Sequence, residues 1–197
     1  SKHPTRQWLT KVEAKKLVND GLINLEKLTT SDNPDIVIAS CGDTPNIEAI
    51  ACVSLLKKYI PDIKLRFINV LEVLKLESNK RNPNGLSDEE FTKYFTKDKP
   101  VIFNFHGYPS FIYGLIYDRP NKNFHVHGYL EEGSITTAFD MRLRNKIDRF
   151  SLLKEIITFL DNQNTNELVK YIEETLEKHY KYVKEVGIDL EEITNFS

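Results

Sequence analysis

The segment Ile36-Val37-Ile38-Ala39-Ser40 is an apolar run of strand length without alternation, which predicts a strand covered on both faces. Cys41-Gly42-Asp43-Thr44-Pro45 follows as a tight turn, with Thr44 as a cap and Pro45 at the first helical position. Beyond it Ile47, Ile50, Ala51 and Leu55 recur at helical spacing until Pro61-Asp62. Lys64 to Val70 reads as a second strand, so a strand-helix-strand unit with parallel pairing is expected. The pattern repeats: a polar surface loop over 77–85, a capping box from Ser87 to Glu90 ahead of Phe91, Tyr94 and Phe95, and a third strand over Pro100 to Phe105. Ile112, Leu115 and Ile116 mark a helical face, and 123–128 a shorter fourth strand.

The flanks read as helices. Over 11–28, Val12, Leu17, Val18, Leu22, Leu25 and Leu28 form one stripe, a lead-in helix or a helix pair divided at Gly21. After the loop at 133–137, 139–146 and 151–160 carry helical periodicity, and 165–186 sets Leu168, Ile172, Leu176 and Val183 opposite a dense Glu and Lys face. Alternating strands and helices define an α/β sandwich on a mainly parallel sheet. No repeat of 20 to 50 residues interrupts it.

A length of 197 residues suits one core. Twenty-seven Lys and Arg against 29 Asp and Glu leave a formal charge of -2, which argues against nucleic acid and anionic membranes as partners. No apolar stretch approaches the roughly 18 to 20 residues of a membrane helix, and no secretory signal opens the chain, so a cytoplasmic location is expected. Cys41 and Cys52 make neither a metal-ligand spacing nor a disulfide framework and read as reduced core residues. The first residue is Ser1 and the single methionine is Met141, so the chain is expected to be a processed form or a piece of something longer.

Ligands of open parallel sheets bind beyond the carboxyl ends of the strands. Three turns lie there: Gly42-Asp43-Thr44, His106-Gly107-Tyr108 and His127-Gly128-Tyr129. Gly42, Asp43, His106, Gly107, His127 and Gly128 are therefore the candidate crevice residues, His106 being the best single imidazole, although a turn-capping role suits it equally. Neither phosphate-cradling glycine pattern is present, which discounts nucleotide binding, and no G-x-S-x-G elbow is present. His125 and His127 project from one face of a strand, but nothing in the sequence places further ligands beside them. Hydrogen-bonded imidazoles are the plainer reading, and no metal is expected on this chain. His179 is expected to pack, and Glu89-Glu90 and Glu131-Glu132 to be solvated or caps. The aromatic cluster Tyr108, Phe111, Tyr113, Tyr117 and Phe124 reads as core and interface.

Several segments together resemble the C-terminal domain of bacterial phosphoketolases acting on xylulose 5-phosphate or fructose 6-phosphate. They are Lys2-His3-Pro4 with Gln7-Trp8-Leu9-Thr10, Ala39 to Pro45, Lys64 to Val70, Leu86 to Phe91, and Asp98 to Phe103 with His106-Gly107-Tyr108. Ile116 to Asn121, Val126 to Tyr129 and Glu132 to Met141 extend the series, so the resemblance spans nearly the whole chain. It implies a three-layer α/β sandwich with a mainly parallel, Rossmann-like sheet, like the transketolase C-terminal domain, plus N- and C-terminal helices. Residues 1–10 would be a linker and 11–197 the domain.

The resemblance also implies an enzyme dependent on thiamine diphosphate and Mg2+, which cleaves a ketose phosphate with inorganic phosphate to acetyl phosphate and a shorter aldose phosphate. The G-D-G motif that holds that cofactor in the family is missing, and Gly42-Asp43-Thr44 is only a partial echo of it. The cofactor and the catalytic residues are thus expected on preceding domains, with none on this chain. This domain is expected to serve assembly of a homodimer or higher homo-oligomer and the active-site entrance. Lys2 matches a family lysine that reaches toward the substrate phosphate. The competing reading is an independent regulatory module that binds a small ligand in the crevice.

Overall fold

A computed structural model describes residues 8–130, 136–160 and 164–195. Five strands form one sheet in the order β1-β3-β2-β4-β5. Strands β2 (Ile36–Cys41), β3 (Leu65–Val70), β4 (Val101–Phe105) and β5 (Phe124–His127) run parallel, while β1 (Leu22–Asn24) is antiparallel on the β3 edge. Every residue of β2, β3 and β4 is buried, as their unalternating sequences require.

Two apolar clusters flank the sheet. Ile36, Ile38, Leu65, Phe67 and Ile102 face α2 (Asp43–Tyr59), α6 (Arg149–Ile157) and α7 (Asn166–Val186), with α1 (Lys11–Asp20), α5 (Ala138–Arg144) and α8 (Glu191–Thr194) at the margin. Val37, Ala39, Ile68, Phe103 and Phe124 face a 3-10 turn (Val73–Leu76), α3 (Asp88–Phe95) and α4 (Pro109–Ile116). The result is the expected three-layer sandwich.

Two local expectations are corrected. The lead-in helix stops at Asp20, because Gly21 takes a left-handed φ of 78° and its N–H closes on the Leu17 carbonyl. Leu22 instead opens β1, whose residues pair with Ile68, Asn69 and Val70, while Leu25 and Leu28 fall in the turn beyond it. Leu17, Leu22 and Leu25 are buried, but Val12 and Val18 face solvent. The start of α2 also differs: Gly42, at φ 107°, is the cap residue, no side chain caps the helix, and Pro45 is the third helical residue. The expected capping box from Ser87 to Glu90 does form, and a second, not anticipated, joins Thr10 and Glu13 at the start of α1.

Charged groups inside the fold are tied to distant partners. Glu48 of α2 is fully buried, and both its oxygens meet the buried Arg149 guanidinium, at 2.8 and 3.1 Å. Arg142 adds a bond of 2.7 Å to the same carboxylate. Burial pushes the Glu48 carboxyl up, but the hydrogen bonds and charge of Arg149, then the charge of Arg142, hold it below its ordinary value. Arg119, 1% exposed, donates to the carbonyls of Leu76, Glu77 and Leu86 and to Asp88. Its guanidinium lies over the Phe91 ring at 4.4 Å. The polar loop after β3 is thereby wound around an internal cation. At the β5 edge the Tyr113 hydroxyl donates to the Phe124 carbonyl at 3.2 Å and accepts from the Val126 N–H at 3.1 Å.

Candidate functional site

The connection from β2 through α2 goes to β3 on one side, and the chain then crosses back past β2 to β4. The crossovers therefore diverge between the carboxyl ends of β2 and β4, where Gly42 and His106 lie side by side. The His106 N–H donates to the Cys41 carbonyl at 3.3 Å, and a Cβ on Gly42 would stand 2.8 Å from that of His106. Gly42 is thus fixed both by its φ and by this approach.

A cavity of about 650 Å³ opens at this point. Trp8, Leu9, Ala14, Leu17, Leu25, Ile50 and Val70 supply its apolar walls, with Lys11, Asp43 and His106 exposed around its mouth and Asn46 and Asn69 inside. The His106 ring stands edge-on to Phe105, with centroids 5.8 Å apart. Burial pushes the Cys41 thiol up to about 11, so this wall carries no thiolate at neutral pH.

Asn69 belongs to a polar row that crosses the otherwise apolar sheet. Asn69 pairs with Ser40, Ser40 with Asn104, and Asn104 with His127, so all four side chains project toward the α2 layer near the carboxyl ends. Ser40 donates to the Asn46 side-chain oxygen at 2.6 Å, and Asn104 donates to the carbonyls of Pro45 and Ile147. Asn69 is 6% exposed as a residue, and its carboxamide, which lines the cavity, has no hydrogen-bond partner among the described residues.

The sequence-derived crevice residues divide between two places. Gly42, Asp43 and His106 border the cavity at the switch point. His127 instead borders a second cavity of about 650 Å³ between β5, α5, α6 and α7, alongside Arg144, Lys146, Lys154 and Glu155. Gly107 and Gly128 join the two turns: the Tyr129 N–H donates to the Gly107 carbonyl at 2.9 Å, and a Cβ on Gly128 would come within 2.3 Å of that oxygen. Lys2 and the pair Glu131-Glu132 lie outside the described residues. Asn69, Asn104 and the partner of the histidine pair are additions that reading the chain missed. The signal for the asparagines was a lone carboxamide in each apolar strand.

His125 and His127 do share a face, and both converge on Glu155 of α6. His125 Nδ1 lies 2.8 Å from Oε1, and His127 Nε2 bonds Oε2. Their other nitrogens meet the Asn123 side-chain oxygen at 2.9 Å and the Lys146 carbonyl at 2.7 Å. The hydrogen bond from His127, opposed by burial and aided by the charge of the two imidazoles, holds the Glu155 carboxyl below its ordinary value. Because the folded value is depressed, this group adds stability above its unfolded pKa, about 4.3, and loses it as pH falls through the folded value. Melting temperature should fall on acidification below about pH 4.5, and Glu155→Gln should make that fall shallower. Parallel pH profiles for the two proteins would refute the assignment.

His179 is fully buried, edge-on to Phe139 at 5.2 Å, and burial lowers its pKa. Both cysteines are free and buried. Glu90 serves as a cap. Phe124 is core, whereas Tyr108, Phe111, Tyr113 and Tyr117 are exposed, together with Tyr129 and Leu130. Among the described residues no group of three His, Cys, Asp or Glu side chains could hold a metal ion, and no helix is long and apolar enough to cross a membrane.

The fold is an α/β domain shared with transketolase: a transketolase from Pichia stipitis superposes with a TM-score of 0.52, at 12% identity, over 74% of this chain and 18% of that one. Residues 2–197 match the XFP C-terminal domain, and the chain belongs to this family, the C-terminal domain of phosphoketolases. It is 48% identical over its full length to a protein named probable phosphoketolase from Clostridium acetobutylicum and 46% identical to the xylulose-5-phosphate phosphoketolase of Lactiplantibacillus pentosus. The chain spans about a quarter of the length of each of these relatives, being 25% of both.

Proposed function

We propose that the chain is the C-terminal part of an enzyme that cleaves xylulose 5-phosphate, fructose 6-phosphate or both with inorganic phosphate, releasing acetyl phosphate and glyceraldehyde 3-phosphate or erythrose 4-phosphate. The observation that carries this is the 46% identity, along the whole chain, to a protein bearing the name of that activity.

Thiamine diphosphate with Mg2+ would supply the carbon-carbon cleavage chemistry. The residues described here do not fit that group: diphosphate-bound Mg2+ needs converging oxygen donors, whereas Asp43 stands alone at the mouth of an apolar cavity. The cofactor is assigned to the other three quarters of the polypeptide, and this domain to assembly and the wall of the substrate entrance. The half-exposed aromatic face along α4 and the turn after β5 supports contact with those domains. Residues 1–10 serve as the linker and 11–197 as the domain, the whole enzyme being a cytoplasmic homodimer or higher homo-oligomer. In the complete enzyme the Lys2 ammonium, a point charge suited to phosphate, reaches toward the substrate phosphate.

The test has two arms. The 197-residue chain, given xylulose 5-phosphate, phosphate, thiamine diphosphate and Mg2+, should form no acetyl phosphate; turnover would refute the division of labour. In the full-length enzyme Lys2→Ala should raise KM for the ketose phosphate about tenfold, in line with loss of one charge-assisted hydrogen bond. An unchanged KM would remove Lys2 from the site.

A further inference from the structure

We propose that the cavity at the carboxyl ends of β2, β3 and β4 binds a small, uncharged, planar heterocycle with an amide-like edge, of the nucleobase or nicotinamide type. The inference is independent of the phosphoketolase reading and concerns binding alone.

The floor dictates the polar part. Asn69 is nine-tenths buried, and its carboxamide, one donor group beside one acceptor, has no protein partner among the described residues. An amide placed so takes its hydrogen bonds from what enters the cavity, water or a ligand. In the same row Ser40 bonds Asn46 and the Asn104 amide nitrogen bonds two carbonyls, while the Asn104 side-chain oxygen is buried away from the cavity without a partner among the described residues. Asn46 accepts from Ser40 through its oxygen and so keeps its amide nitrogen for the cavity. The complement of a carboxamide is a group with a donor and an acceptor side by side, as on the edge of adenine or on nicotinamide itself.

The walls dictate the rest. Leu17, Leu25 and Ile50 are buried aliphatic side chains, and Trp8 packs beside them, so the body of the ligand is apolar. A net charge at the floor would meet no counter-charge there, while Lys11, Asp43 and His106 at the mouth offer both signs. An uncharged ring with its polar edge directed inward satisfies both conditions, and about 650 Å³ accommodates it.

The probes are adenine and nicotinamide, titrated into the 197-residue chain by calorimetry, with emission of Trp8, the single tryptophan, as a second readout. Saturable one-to-one binding by at least one of them is expected, with Kd about 0.1 to 1 mM for so small a ligand. Asn69→Leu should weaken that binding about tenfold. The same substitution should raise the melting temperature of the free protein, because an amide without a protein partner is replaced by an aliphatic side chain that suits the cavity walls. A purely structural asparagine would behave oppositely. Absence of saturation by both probes at about 10 mM, equal affinity for benzene, unchanged affinity in Asn69→Leu, or a lowered melting temperature in that variant would each overturn the proposal.

Discussion

Glu48→Leu should destabilise the fold by about 3–5 kcal/mol, because it removes the buried carboxylate that meets the Arg149 guanidinium at 2.8 and 3.1 Å. For a domain of this size that corresponds to a fall in melting temperature of roughly 6–20 °C. The geometry makes the asymmetry of the pair explicit. Arg142, on the rim, loses one bond and turns to water, but Arg149 is 3% exposed and loses two side-chain bonds at once. Its backbone N–H, 3.0 Å from Glu48 Oε2, loses a partner as well. The double variant Glu48→Leu/Arg149→Met should recover most of the loss, since replacing both charges with apolar groups of similar volume is often neutral. Thermal and urea denaturation measure both. A single variant within about 1 kcal/mol of the parent, or a double variant no better than the single, would show that the carboxylate is not what holds α2 to the start of α6.

Arg119→Met is expected to have a comparable total effect, again about 3–5 kcal/mol, with a different signature. This guanidinium supplies hydrogen bonds to the Leu76, Glu77 and Leu86 carbonyls, so it closes both ends of the 77–87 loop from beneath. Without it, three carbonyls in a largely buried setting lose their donor and the loop loses its centre. Protease cleavage and amide exchange should therefore accelerate in 77–87 before the parallel strands lose protection. Arg119→Lys should restore less than half of the lost stability, because a single ammonium cannot span the carbonyls that a planar fork reaches. Uniform loss of protection, or full rescue by lysine, would contradict this account.

These two arginines show where the sequence was silent. The parallel strands were legible because burial on both faces leaves an unalternating apolar run, and α3 because Ser87 and Glu90 announce it locally. Glu48 and Arg149 are 101 positions apart, and nothing in either neighbourhood marks the other. The 77–87 stretch reads as an ordinary polar loop because its organiser, Arg119, lies more than 30 residues downstream. At Gly21 the helical stripe continued through Leu22 and Leu25, and only the β3 edge decided that Leu22, Ile23 and Asn24 pair as a strand. The site was half legible. Turn glycines after strands pointed to the carboxyl ends, and Gly42, Asp43 and His106 do border one cavity. Asn69 and Asn104 were passed over as single polar residues in apolar strands, although alternation alone aligns them with Ser40 on one face once the register is known.

Tyr113 has a bearing on how copies of the chain meet. β5 is the outer parallel strand, and an outer strand offers unpaired backbone groups to any extended segment that approaches. One hydroxyl occupies both the Phe124 carbonyl and the Val126 N–H, so half of the four-residue strand is already spoken for. The opposite margin is only three residues long and runs against the rest. Neither border is a good template for joining two sheets into one. Self-association of this domain is therefore steered away from strand addition, toward side-chain contact across its helices and turns, and the same tyrosine guards against edge-to-edge aggregation.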